Sequence, residues 1–323
     1  VSELNAKYEK KIFNFAYRRR FYNESEECYL GFERKRGALI HFNKLLLNKL
    51  SEKEKKEYFK IHTFDGFDAK IKYVITLDAD TKLVLNTALT LIGAMAHPLN
   101  RPILNKEKTK VIGGYGVMQP RVAIDVEVTN KSKYSQLFAG LGGLDIYVTA
   151  SFDLYQDVFK EGSFVGKGIY DLEVFDQVLA ETFPNNLILS HDLIEGNYLR
   201  CGFVNDVVLY DDYPSAYLND AIRHHRWNRG DWQVINWLGK KVKNAKGKIV
   251  RNPIGLLSKW KIFDNLRRSL NSLFLLLILF FGLIFGTANG LAYLSLVVII
   301  IAIPIFFYLI SKVIYRNRYD MFL

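Results

Sequence analysis

Cysteine is nearly absent. Cys28 and Cys201 are the two in 323 residues. They lie far apart and follow no metal-ligand spacing, so they can form at most one bridge, and a disulfide-stapled scaffold is excluded. A reducing, cytosolic setting is expected. The N-terminal stretch has no apolar core and no small-residue cleavage site, so no removable secretory signal is expected, and it reads like the middle of a longer chain. There is no internal repeat and no low-complexity tract. Half of the residues are apolar, enough for a sizeable core, which excludes a disordered chain.

What is abundant is positive charge. Lys and Arg number 44 against 33 Asp and Glu, a formal charge of +11, which suits nucleic acid, an anionic lipid surface or a phosphorylated substrate. Basic residues crowd the first 72 positions, including Arg18, Arg19 and Arg20, and recur beside the apolar C-terminal end. The aromatics are not interleaved with a continuous basic stripe, so no nucleic-acid partner is expected, and a membrane surface fits better.

Residues 273–285 are strongly apolar but for Gly282, and residues 291–310 form a second such stretch. The pattern predicts two membrane helices. The connection over 286–290 is so short that they must be antiparallel neighbours. Lys259, Lys261, Arg267 and Arg268 precede the first span, and Lys312, Arg316 and Arg318 follow the second. By the positive-inside rule both flanks and the body before them face the cytoplasm, as expected of a plasma (inner) membrane protein. Over 254–270, Leu256, Leu257, Trp260, Ile262, Phe263 and Leu266 sit among basic residues. That is the pattern of an amphipathic helix at the headgroups, although a core helix would show the same stripe.

Ahead of this, strands and helices alternate. Residues 71–77 form a β-rich run ending in Asp78-Ala79-Asp80, and 86–96 reads as a helix closed by His97-Pro98. Further strands are expected over 116–122, 187–189 and 204–210, with a helix over 192–201. The alternation predicts an α/β fold with a parallel-rich sheet and helices on both faces.

Three clusters can carry chemistry. In an extended chain, Asp78 and Asp80 point the same way at the end of a strand, where open α/β sheets bind ligands. Their oxygens suit a hard divalent cation, Mg²⁺ or Mn²⁺, bridging a diphosphate. Asp192, in Leu189-Ser190-His191-Asp192-Leu193, stands where a strand meets a helix; it is either a helix cap or a reacting carboxylate. The segment from Arg223 to Gln233 packs Arg223, Arg226 and Arg229 with Trp227 and Trp232. Arginines can hold a departing diphosphate, and an indole face suits a sugar ring. His224 and His225 are adjacent and point apart, which argues against zinc. Gly162-Ser163-Phe164-Val165-Gly166-Lys167-Gly168 is not a P-loop, because the spacing before Lys167 is wrong and Gly168 stands in place of Ser or Thr. It reads as a flexible loop near an acceptor.

In this order, and followed by membrane spans, the clusters resemble the processive family-2-like glycosyltransferases, with their metal-binding D-x-D, catalytic-base Asp and Q-x-x-R-W. The resemblance is closer to the glycosyltransferase domain of cyclic β-1,2-glucan synthases. Leu77-Asp78-Ala79-Asp80-Thr81, the stretch from Met95 to Pro102, Gly166-Lys167-Gly168-Ile169-Tyr170-Asp171, the Asp192 phrase and His225-Arg226-Trp227 with Arg229-Gly230-Asp231-Trp232-Gln233 all look like that group.

The resemblance implies a GT-A-like mixed sheet with helices on both faces, an interfacial helix and two transmembrane helices. It implies that Asp78 and Asp80 bind the metal, that Asp192 is the general base, and that Arg226, Trp227, Arg229, Gly166, Lys167 and Gly168 bind substrate. Arg223 stands where the motif has Gln. The implied partners are UDP-glucose, a glucan acceptor, membrane lipid and the remaining domains of a larger synthase. The implied division is a basic part of a truncated transferase domain over 1–70, a catalytic core over 71–252, an interfacial helix over 253–270, a membrane hairpin over 271–311 and a cytoplasmic tail over 312–323. A first nucleotide-binding strand is expected upstream of Val1. A cellulose- or chitin-like synthase and a non-catalytic nucleotide-sugar-binding membrane module are the alternatives.

Overall fold

In the computed structural model, residues 1–24, 26–65, 70–139, 153–188, 192–284 and 287–319 are described. They fall into two units, Val1–Phe263 and Asp264–Leu323.

The basic N-terminal part folds as α1 (Ser2–Lys7), β1 (Ala16–Arg18), β2 (Arg20–Asn23), β3 (Cys28–Gly31), α2 (Arg34–Leu46), α3 (Glu52–Tyr58) and β4 (Phe59–His62). β1 pairs with β4 and β2 with β3, both antiparallel. The start of α2 is fixed by a buried ion pair. Glu33 adopts a left-handed backbone with φ of 50°, and its carboxylate pairs with Arg36 and accepts the N–H of Asn186. Both charged side chains are almost fully buried, so losing either one leaves an uncompensated charge, at a cost of about 3–5 kcal/mol. Lys35 lies between them in sequence and is therefore held at the first turn.

Then follow β5 (Tyr73–Thr76), β6 (Lys82–Leu83), α4 (Thr87–Ala96), β7 (Ile103–Leu104), β8 (Val111–Gly113), β9 (Val117–Ile124), α5 (Val126–Thr129), α6 (Lys133–Phe138), α7 (Leu154–Phe159), β10 (Gly168–Asp171), α8 (Leu172–Leu179), α9 (Asp192–Leu199), β11 (Cys201–Asp211), α10 (Tyr217–Gln233), β12 (Lys241–Lys243) and β13 (Ile249–Arg251). The central sheet has the order β5-β10-β9-β11-β6. β9 and β11 are parallel, and the other three pairs are antiparallel. The sheet is thus mixed, not parallel-rich, because β10 runs against both its neighbours and β6 against β11. Leu187 and Ile188 lie outside any strand, and position 189 falls outside the described residues.

The strand alternation puts helices on both faces, as expected. Ile169 packs with Leu91 and Met95 of α4 and with Met118 and Val207. Tyr170 turns to the opposite face, where its hydroxyl donates to Asn43 Oδ1 of α2 at 2.8 Å and its ring lies 4.3 Å from that of Phe175 of α8. Burial of each large side chain in this core contributes about 1.5–3 kcal/mol. Two reversals of direction leave β5, β9 and β11 pointing the same way, so their C-terminal ends share one edge.

The chain continues as α11 (Leu256–Ile284) and α12 (Thr287–Tyr319). Both contain stretches long and apolar enough to cross a membrane. The segment expected as a separate interfacial helix forms the first turns of α11, because neither Pro nor Gly interrupts the chain before Gly282. A Cβ on Gly282 would lie 2.8 Å from the Cβ of Tyr293, so the two helices touch there as antiparallel neighbours. Residues 285 and 286 of the connection lie outside the described residues.

Candidate functional site

The site forms where β5 ends. The strand stops at Thr76, and the carbonyl of Asp78 accepts the N–H of Thr81 at 3.1 Å, so residues 78–81 make a turn and do not stay extended. Asp78 is half-buried and Asp80 is exposed. The alternation argument for an extended strand therefore does not apply to Asp78 and Asp80.

Asp78 is gripped by two lysines. Lys35 from the first turn of α2 pairs with its Oδ1, and Lys167, just before β10, lies 3.2 Å from its Oδ2. Lys35 also donates to the carbonyl of Gly166 at 2.7 Å. Lys167 pairs with Asp211 at the end of β11, whose other oxygen accepts from Thr81 Oγ1 at 2.7 Å. Two cations thus meet two carboxylates at the shared edge. Burial alone would raise the pKa of Asp78, but Lys35 and Lys167 outweigh it and hold the carboxyl below its ordinary range. Burial would lower the pKa of Lys167, but Asp211 and Asp78 raise it above the usual lysine value. Both groups are charged at neutral pH.

The glycine-bearing loop before β10 is buried and tied down, not flexible. Gly162 N–H donates to Cys201 O at 2.8 Å, and Val165 N–H donates to Gln119 Oε1 at 2.9 Å. Lys261 Nζ donates to the carbonyls of Glu161 at 3.1 Å and Gly162 at 2.7 Å. Gly166 has φ +87°, and a Cβ there would lie 2.8 Å from both Cγ and Oδ2 of Asp192. The Asp192 carboxylate therefore rests against the Gly166 backbone in a space that only glycine leaves. Asp192 is the first residue of α9, where the helix dipole favours negative charge. Residues 189–191 of its phrase lie outside the described residues. Gly168 is needed for another close approach, since a Cβ there would meet Met118 O at 2.1 Å.

A second cluster is carried by α10. Arg223 donates to Asp220 Oδ1 at 2.7 Å, and its guanidinium lies 4.9 Å from the rings of both Tyr213 and Trp227. Arg226 and Trp227 are exposed. Arg229 pairs with Glu26, which also pairs with Arg34. Asp78, Gly166, Lys167 and Asp192 are thus brought together, whereas Asp80, Arg226, Trp227 and Arg229 are exposed.

Sequence reasoning missed Lys35 and Asp211. Asp211 carries the same signal as Asp78, an acid at the end of a β-rich run. Lys35 sits in the run Arg34-Lys35-Arg36, which looks like a solvated face.

Among the described residues, no three His, Cys, Asp or Glu side chains form a metal cluster. The donors present still match a hard divalent cation in kind. The Asp78 side chain is 38% exposed, Asp80 is exposed, and Mg²⁺ sites commonly use one or two carboxylates with phosphate oxygens and water. Lys35 or Lys167 would have to yield an oxygen of Asp78.

No family model matches the chain. Over 274 residues, 84% of its length, it is 38% identical to the cyclic β-(1,2)-glucan synthase NdvB of Rhizobium meliloti, and the chain spans 9% of that relative. The chain is therefore a relative of the cyclic β-(1,2)-glucan synthases, similar to one segment of that much longer protein.

Proposed function

We propose that this chain is the core of a membrane-bound inverting glucosyltransferase that passes glucose from UDP-glucose to a growing β-1,2-glucan at the cytoplasmic face of the inner membrane. The observation that carries this reading is the Asp192 carboxylate against Gly166, whose carbonyl shares Lys35 with Asp78. A base candidate and a diphosphate-binding candidate thus stand one glycine apart.

Asp192 takes the proton from an acceptor hydroxyl as that oxygen attacks C1 of the donor sugar, and the bond from C1 to the diphosphate breaks with inversion. Asp78 and Asp80 would hold Mg²⁺ or Mn²⁺. When bound, the cation supplies charge neutralisation for the leaving diphosphate. Lys35 and Lys167 add fixed positive charge beside it. Arg226 and Trp227 are available to the diphosphate and the acceptor ring, with Arg229 braced by Glu26. The two apolar helices hold the enzyme in the membrane.

The test is transfer from radiolabelled UDP-glucose in membranes carrying the intact parent protein, with Mg²⁺ or with EDTA, followed by linkage analysis. Metal-dependent β-1,2 product supports the reading. Another linkage would point to a different β-glycan synthase, and UDP binding without transfer to a non-catalytic module.

A further inference from the structure

The β12–β13 hairpin directly precedes α11 and carries unbalanced charge. Its register sets Lys241 opposite Arg251. Like charges directly opposite each other destabilise a two-stranded ladder. Among the described residues neither side chain has an ion-pair partner, and the same holds for Lys240 and Lys259. These four cations line one cavity of about 660 Å³ together with Asn252 and Ile249, and no carboxylate is among its lining residues. Lys259 is fixed at the wall by donating to the carbonyls of Leu238 and Gly239, each at 3.0 Å. Asn252, another lining residue, is held by donating from Nδ2 to Trp237 O at 2.7 Å. The carboxylate that does pair with this hairpin, Glu181, is engaged at the turn by Lys246 at 2.6 Å.

Four cations around a cavity without an acid call for an anion from outside, and the chain's continuation indicates which. Lys259 lies in the first turn of α11, and Asp264, Arg267 and Arg268 follow it before the apolar run that starts at Leu273. Those charges keep this part of the helix out of the hydrocarbon, in the charged layer of headgroups and water beside it. Alongside it Ile249 is 67%, Leu256 88% and Trp260 51% exposed. Basic side chains beside exposed apolar residues and an indole at the foot of an apolar helix match the chemistry of that layer.

We propose that the β12–β13 hairpin and the first turn of α11 form a binding site for the phosphate of an anionic lipid headgroup. The site is independent of the sugar-transfer reading.

The test uses the full chain in a neutral detergent, titrated with dioctanoyl phosphatidylglycerol, dioctanoyl phosphatidylcholine or inorganic phosphate, with the thermal midpoint as readout. Phosphatidylglycerol should raise the midpoint saturably, and the other two should not. A Lys241→Gln/Arg251→Gln variant should bind phosphatidylglycerol about tenfold more weakly, yet be more stable than wild type without lipid, because the facing charges are gone. A Lys53→Gln/Lys106→Gln control should behave as wild type. If the double variant unfolds, Lys241→Gln alone gives the same reading. Unchanged phosphatidylglycerol affinity in the hairpin variant overturns the proposal, as does an equal response to phosphatidylcholine. An equal response to inorganic phosphate also overturns it, in favour of a soluble-anion site.

Discussion

Around Asp78, Lys35 and Lys167 meet the carboxylates of Asp78 and Asp211; along the β12–β13 hairpin, Lys240, Lys241, Arg251 and Lys259 share a cavity lined by no acid. The first set is assembled from α2, the turn after β5, the loop before β10 and the end of β11, and is half-buried. The second lies on one exposed hairpin and the helix that follows it. Charge taken out of water must be paired within the protein, whereas exposed charge can wait for a partner. The interior cluster therefore holds cations that a ligand must rearrange, and the hairpin holds cations that a ligand must complete.

Asp192 sharpens this contrast most. Asp192→Asn in the intact parent protein is expected to lower transfer about 10²–10⁴-fold with no change in thermal midpoint, while the hairpin variants keep wild-type transfer in detergent. Retained transfer in Asp192→Asn would remove the base from the interior cluster.

Two glycines with similar backbones give the next test. Gly166 (φ +87°) has the Asp192 carboxylate 2.8 Å from a built Cβ, whereas Gly247 in the hairpin turn (φ +73°) has nothing within 4 Å. Gly166→Ala should cost about 1–3 kcal/mol and at least about tenfold in transfer through displacement of Asp192. Gly247→Ala should cost about 1 kcal/mol of backbone strain and leave transfer alone. Equal transfer losses in the two variants would break the comparison.

His41 shows how the interior treats a charge that it cannot pair. It is 5% exposed and stacked between Phe32 and Tyr58. Burial first, then nearby Arg18 and Lys44, push its pKa down to about 4 from 6.5. Between these values the unfolded chain binds the proton and the folded one does not. The contribution is fully present above pH 6.5 and is lost as the pH falls toward 4, by up to about 3 kcal/mol. Thermal midpoints across this range should show the loss in wild type and a smaller one in His41→Phe. Identical profiles would be evidence against a depressed His41.

The smallest effect concerns the lysine that shields Asp78. Its pair with Lys35 is about one-third exposed on each side and so is screened. Lys35→Met should raise Mn²⁺ affinity without nucleotide by up to about fivefold, read by spin resonance, while Lys241→Gln should not change it. Unaltered Mn²⁺ binding in Lys35→Met would mean that Lys35 does not compete with the cation.

The helix over 86–96 was legible from its stop at His97-Pro98, and the apolar spans from the length of their continuous apolar runs. Asp78 and Asp192 were legible as acids at element ends. The turn over residues 78–81 was not, because Asp78-Ala79-Asp80-Thr81 carries no Gly or Pro to announce it. The antiparallel β10 was not legible either, since strand direction depends on pairing with β5 and β9, not on residue order.

By itself, the sequence determined where α4, α9, β5, β9, β11 and the two membrane-length segments lie, because local pattern and chain continuity suffice for these. Only the tertiary structure decided that Lys35 meets Asp78, 43 positions away, and that Lys167 meets Asp211, 44 positions away. Such meetings are set by sheet order and by where α2 packs, and no local pattern of residues encodes them.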